Sequence, residues 1–142
     1  MKMVLDASVA LSWLLEDAGA GQAYATQVFD ALAIQGAEAR VPSIWGLEIA
    51  NVIAKSETRG ALTNERSQAF LAAIAAAPIV CDAETYSRTM TDILALARRH
   101  RLSSYDASYL ELSLRSALPL ATLDHELKRA ADQAGAQLLN PS

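Results

Sequence analysis

Hydrophobic positions in this chain fall into short unbroken runs separated by longer stretches with helical spacing. Met3-Val4-Leu5 is apolar and stops at Asp6. Ala39-Arg40-Val41, Ile79-Val80-Cys81, Leu120-Ala121-Thr122-Leu123 and Gln137-Leu138-Leu139 are the other brief runs. Runs that are apolar throughout, rather than alternating, suit a parallel sheet covered on both faces, so Ile79–Cys81 reads as a buried strand and Cys81 as a core residue. Between the runs lie helices marked by their start and stop signals. Ser8 caps a helix through Leu15; Gly19 and Gly21 punctuate before a second from Tyr24 to Gly36; Pro42-Ser43 opens a third that ends at Gly60. Thr63 caps a fourth that stops before Pro78, Ala83 to His100 reads as one long amphipathic helix, and Ser103 opens the next. Residues 125–134 form the last, closed by Gly135. Strands alternating with helices predict an α/β/α sandwich around a short-stranded, mainly parallel sheet. No repeat, linker or low-complexity tract interrupts the 142 residues, which make a single domain, 1–142.

The stretch LSSYDASYLELS at 102–113 breaks the simple core reading, because Asp106 heads a stripe (Tyr109, Leu110, Ser113, Ala117) that faces inward. Capping is one explanation: Ser103 with Asp106 three residues on resembles a capping box at the positive end of a helix. Two strands also end on an aspartate, VLD at 4–6 and ATLD at 121–124. In open α/β sheets the functional crevice lies at the carboxyl ends of the strands, which aims Asp6 and Asp124 at one edge. Each of them could equally cap the helix that follows. Glu48, in SIWGLEIANVIAK, heads a half-apolar helix face near the same edge, although a partly exposed helix acid would look the same.

If Asp6, Glu48, Asp106 and Asp124 converge, their repulsion becomes decisive. Two like charges ~4 Å apart repel by about 4 kcal/mol at an effective dielectric of ~20, and several such pairs rival a domain's ~5–15 kcal/mol of stability. No Lys or Arg neighbours any of the four in sequence, so the cluster calls for protons or a cation. Oxygen-only ligands suit Mg²⁺ or Mn²⁺; zinc would want thiolate or imidazole, and the chain offers Cys81, His100 and His125. His125 follows Asp124 directly but stands at a helix N-terminus, which disfavours its charged form. With no Gly-rich phosphate loop, P-loop lysine or Ser-His pair, a carboxylate-held ion points to water attacking a phosphate.

The bulk numbers narrow the class without deciding it. Hydrophobic residues make up 52% and the net charge is −4, which argues mildly against a nonspecific polyanion binder. No apolar run approaches the ~20 residues of a membrane helix. An acid at position 6 is out of place in a signal peptide, and the lone Cys81 allows no internal disulfide. Both fit a cytoplasmic protein that avoids the membrane.

Taken in order, VLDASV at 4–9, LEIANVI at 47–53, SSYDASYLELS at 103–113 and LATLDHELKRAA at 120–131 resemble the four motifs of the PIN-domain ribonucleases. Within that group the chain looks like the VapC-type toxins of type II toxin–antitoxin pairs. The resemblance implies that Asp6, Glu48, Asp106 and Asp124 are the catalytic, Mg²⁺-binding acids (Mn²⁺ being the other candidate), with Ser8 and Asn51 as supporting polar groups. It further implies an RNA substrate, a small antitoxin partner whose tail enters the active-site groove, and a homodimer.

An acidic protein must still hold RNA, and the densest basic run is Arg98-Arg99-His100-Arg101. Arg98, Arg99 and Arg101 are the candidate phosphate contacts, although cations at a helix C-terminus also simply complement its dipole. Lys55, Arg59, Lys128 and Arg129 are alternatives, each readable as a solvated charge. Two other functions compete: a PIN-like nuclease acting on DNA or flap substrates, and a phospho-receiver-type binding module. The receiver should carry paired acids after its first strand and a lysine after its last, whereas Asp6 is followed by Ala7-Ser8 and the last strand by Asn140-Pro141.

Overall fold

The computed structural model describes residues 1–15 and 19–141. Four strands form one parallel sheet: β1 (Lys2–Leu5), β2 (Glu38–Val41), β3 (Ile79–Cys81) and β4 (Leu120–Ala121), in the order β3-β2-β1-β4. The helices are α1 (Ala7–Leu15), α2 (Ala20–Ala33), α3 (Trp45–Thr58), α4 (Asn64–Ala76), α5 (Thr85–Arg88), α6 (Leu94–His100), α7 (Ser104–Ser116) and α8 (His125–Ala134). α1 packs against α2, α3 and α4, whereas α7 packs against α6, α8 and strands β1 and β4. The result is the α/β/α sandwich that the hydrophobic pattern implies. The apolar run Met3-Val4-Leu5 is fully buried at its centre, joined by Val9, Leu14, Tyr109, Leu110, Leu120 and Leu127. No described helix is long and apolar enough to cross a membrane.

Strand order fixes where a site can form. From β1 the chain moves to β2 and β3 on one side, then returns to β4 on the other. The sheet therefore reverses its winding between β1 and β4, and the crevice of such a sheet opens beyond the carboxyl ends of those two strands. Register makes the placement specific: Leu5 pairs with Ala121, and the Asp6 N–H donates to the Ala121 carbonyl at 2.9 Å. Asp6 thus leaves the sheet beside Thr122.

Capping signals placed several helices correctly. Thr63 accepts from the Arg66 N–H, Ser103 from the Asp106 N–H and Asp124 from the Leu127 N–H, while Gly135 closes α8 with φ 79°. Four expectations change. Ile79–Cys81 is an edge strand with Val80 and Cys81 exposed, because among the described residues nothing pairs beyond β3; Cys81 is no core residue. The helix expected over 83–100 runs without a break from Thr85 to His100 but is π-helical over five residues, Thr89–Ile93, between α5 and α6, where Thr hydroxyls bond back to nearby carbonyls (Thr89 to Thr85, Thr91 to Arg88). The last strand shrinks to a single parallel bridge between Leu120 and Leu138. Finally α2 starts at Ala20, ahead of Tyr24, with Gly21 inside it.

Candidate active site

Asp6, at the β1–α1 junction, is almost wholly buried. Its Oδ2 accepts from the Ser8 hydroxyl at 2.6 Å and from the Thr122 hydroxyl at 2.7 Å. The same two hydroxyls accept backbone N–H groups across the junction, Ser8 Oγ from Leu123 at 3.0 Å and Thr122 Oγ1 from Asp124 at 3.0 Å. Ser8 therefore ties β1 to β4 instead of capping α1 as expected. Burial pushes the Asp6 carboxyl above its ordinary range; the Ser8 and Thr122 bonds oppose this, and the charge of Asp124 adds to it.

Asp124 does cap α8, accepting the Leu127 N–H on Oδ1 at 3.0 Å. That cap engages one oxygen, and the charge still presses on both Asp6 and Asp106. Asp106 sits in the first turn of α7, where Ser103 provides the cap and Asp106 contributes only its backbone N–H, at 3.1 Å. Among the described residues its carboxylate accepts no hydrogen bond. Desolvation, followed by the charges of Asp124, Asp6 and Glu48, pushes it up to about 6. The capping box is thus half made, and the acid side chain is left to the cluster.

Glu48 reaches the same place from the first turn of α3. Its Oε1 accepts from the Tyr109 hydroxyl at 2.5 Å, which spans α3 to α7. Burial raises the Glu48 carboxyl, the Tyr109 bond lowers it, and Asp6 raises it again. Asp6, Glu48, Asp106 and Asp124 therefore occupy one electrostatic neighbourhood, and none of them is in an ion pair with a Lys or Arg among the described residues.

The donor set fits a hard divalent ion. Among the described residues no three Asp, Glu, His or Cys side chains close into a ready-made cage, so the four carboxylates form an open cluster. Mg²⁺ suits such a cluster because it keeps several of its waters and needs only one or two direct carboxylates. The softer ligands lie elsewhere. Cys81 is at the far sheet edge, His100 is buried with Nδ1 3.3 Å from Gln133 Oε1, and His125 is exposed.

Other candidates fall outside the cluster. Asn51 is exposed on α3 and bonds to none of the four acids. Arg98, Arg99 and Arg101 are exposed and without ion pairs among the described residues; they end α6 just before the α7 turn that carries Asp106. Lys55 is exposed, and Arg59 touches Ser56 Oγ at 3.5 Å. Arg129 is engaged with Glu126 and the His100 carbonyl, leaving Lys128 partly exposed beside it. Tyr109 and Thr122 are the residues that sequence reasoning missed. Tyr109 was legible as core, and a buried Tyr needs a partner for its hydroxyl; no local signal named Glu48, which lies 61 residues away in the chain.

The PIN-domain family model matches residues 3–133. Ribonuclease VapC3 of Pyrobaculum aerophilum is 27% identical over 127 residues, which cover 89% of this chain and 92% of that protein. The crystal structure of PAE2754 from Pyrobaculum aerophilum matches with a TM-score of 0.62 at 19% identity, over 92% of this chain and 87% of that one. The crystal structure of FitAcB from Neisseria gonorrhoeae gives 0.61 at 19% identity, over 99% and 98%. The two structures share the fold, and the matched segment takes in all four acids, from Asp6 after β1 to Asp124 after β4; the chain belongs to the PIN-domain family.

Proposed function

We propose that the chain is a metal-dependent endoribonuclease and the toxin of a VapC-type toxin–antitoxin pair. The observation that carries the reading is the gathering of four carboxylates, Asp6, Glu48, Asp106 and Asp124, with no Lys or Arg partner among the described residues, near the point where the sheet reverses. Similarity to a protein named a ribonuclease favours RNA over DNA or flap substrates. The receiver-module alternative gives way to the family assignment.

In this reading the four carboxylates hold one or two Mg²⁺ ions, with Mn²⁺ able to substitute. Such an ion polarises the scissile phosphate and makes water a competent nucleophile near neutral pH. Ser8 and Thr122 keep the buried Asp6 carboxylate in one orientation, and Tyr109 does the same for Glu48. Exposed Arg98, Arg99 and Arg101 lie where an RNA backbone entering above α7 would meet positive charge. Two neighbouring cavities support an antitoxin partner: one of about 360 Å³ lined by Trp13, Phe29, Phe70 and Ile74, and one lined by Ser8, Leu11 and Leu123, with Gln22 lining both. The exposed Leu47, Tyr86, Met90 and Tyr105 supply apolar surface that a second copy would cover in a homodimer.

The test incubates single-stranded RNA and DNA of the same sequence with the purified protein in Mg²⁺. RNA is expected to be cut internally by the wild type and left intact by Asp106→Ala that keeps its circular-dichroism spectrum. Cleavage of DNA alone would move the substrate class, and cleavage by Asp106→Ala would remove the acids from the chemistry.

A further inference from the structure

Two of the four acids sit on helices from opposite layers of the sandwich, Glu48 on α3 and Asp106 on α7. Helices can shift by fractions of an ångström without cost to their own hydrogen bonds, so something must fix the span between these carboxylates. α3 is anchored through Trp45, Ile49 and Ile53, which are buried, but Glu48 lies beside the exposed Leu47, Ala50 and Asn51, and no residue of α3 hydrogen-bonds its carboxylate. Among the described residues the hydrogen bond to Glu48 comes from Tyr109, on the face of α7 that carries Asp106 one turn earlier. Tyr109 is fully buried, with Leu110 beside it and the Ala7 backbone N–H next to its oxygen, so the ring has no room to follow a wandering carboxylate.

We propose that Tyr109 is a positioning residue that sets Glu48 relative to Asp106 and Asp6, so that the open cluster binds a divalent ion at the affinity the nuclease needs. The inference rests on the metal-dependent reading above and adds a residue to it. A neutral hydroxyl is the group suited to the task. A cation there would neutralise Glu48 and compete with the ion, whereas a hydrogen-bond donor orients a carboxylate and leaves its charge available. Partners that orient ligating side chains in this way typically cost ~10–100-fold in metal affinity when removed.

Tyr109→Phe removes the hydroxyl and keeps the ring. The readout, independent of turnover, is the rise in melting temperature with Mn²⁺ concentration, from which an apparent half-saturation is obtained. Tyr109→Phe is expected to need about tenfold more Mn²⁺ than the wild type or beyond, and to lose kcat at saturating RNA with KM for RNA unchanged. A second arm uses Glu48→Gln, which keeps an acceptor for Tyr109 but not the charge. If Tyr109 acts through Glu48, adding Tyr109→Phe to Glu48→Gln changes half-saturation by less than about twofold. Equal half-saturation in the wild type and Tyr109→Phe overturns the inference alone. No Mn²⁺-dependent shift in the wild type overturns the metal reading and this inference with it. Failure of Tyr109→Phe to fold would assign the hydroxyl to core stability and overturn it equally.

Discussion

Replacing Asp106 by asparagine separates two roles that a carboxylate at a helix start can play. Its carboxyl is pushed from the ordinary 3.8 up to about 6, first by desolvation and then by Asp124, Asp6 and Glu48. At about 1.4 kcal/mol per pKa unit, that difference would penalise the charged form by roughly 3 kcal/mol. The side chain is partly exposed, so screening reduces the penalty to roughly 1–2 kcal/mol. Against this, an acid in the first turn of α7 gains about 0.3–1 kcal/mol from the helix dipole, which Asn loses. The Ser103 cap is untouched, since it engages the Asp106 backbone N–H. In EDTA at pH 8, Asp106→Asn should therefore be more stable than the wild type by about 0.5–1 kcal/mol, a rise of roughly 2–4 °C. In Mg²⁺ the same variant should lose RNA cleavage by at least about a hundredfold, because a hard cation gains little from a neutral amide. Melting by circular dichroism beside a single-turnover cleavage assay reads both. A variant that melts lower in EDTA and cuts at the wild-type rate would show that Asp106 serves the helix dipole and not the cluster.

Three further outcomes test the frame around the site. Arg115 joins Glu111 at 2.8 Å, Asp82 at 2.7 Å and Glu84 at 3.4 Å, and Glu111 is buried. Arg115→Met strands that carboxylate and should cost roughly 3 kcal/mol in urea unfolding, where a loss under about 0.5 kcal/mol would refute the reasoning. Burial works against the Asp82 charge, but hydrogen bonds from Arg115 and Thr85 outweigh it and hold the carboxyl below its ordinary range. The stability this gives is present above the ordinary carboxylate pKa and lost as pH falls through the depressed one. Asp82→Asn should accordingly melt below the wild type at pH 7 and converge with it in strong acid; a constant difference down to acid unfolding would contradict this. Cys81, exposed on the edge strand, should react with a disulfide reagent in the native protein, whereas reaction only after unfolding would place it in the core.

The sandwich was legible because parallel strands buried on both faces leave short apolar runs, and because Thr63, Ser103, Asp124 and Gly135 announce helix ends by local chemistry. What escaped was set by long-range order. Ile79-Val80-Cys81 looks like any interior strand, and only the order β3-β2-β1-β4 puts it at the edge. The π-helical segment at Thr89–Ile93 widens a helix whose periodicity runs on without a Gly or Pro to mark the change. The four acids could be found in sequence because two end strands and two open helices near one sheet edge. Of their hydroxyl supports, Ser8 was within reach through the resemblance and sits two residues from Asp6, whereas Thr122 looks like part of a strand and only the β1–β4 register brings it to Asp6. Asn51, which the resemblance implied as a supporting polar group, is exposed on α3.

The central claim is that Asp6, Glu48, Asp106 and Asp124 act together as one cation site, and calorimetric titration of Mn²⁺ into the apo protein tests it most directly. The wild type should bind one or two ions, and Asp6→Asn, folded by circular dichroism, should bind at least about tenfold more weakly. Identical isotherms for the two proteins, or no binding heat in the wild type at millimolar Mn²⁺ while RNA is still cut in EDTA, would contradict it.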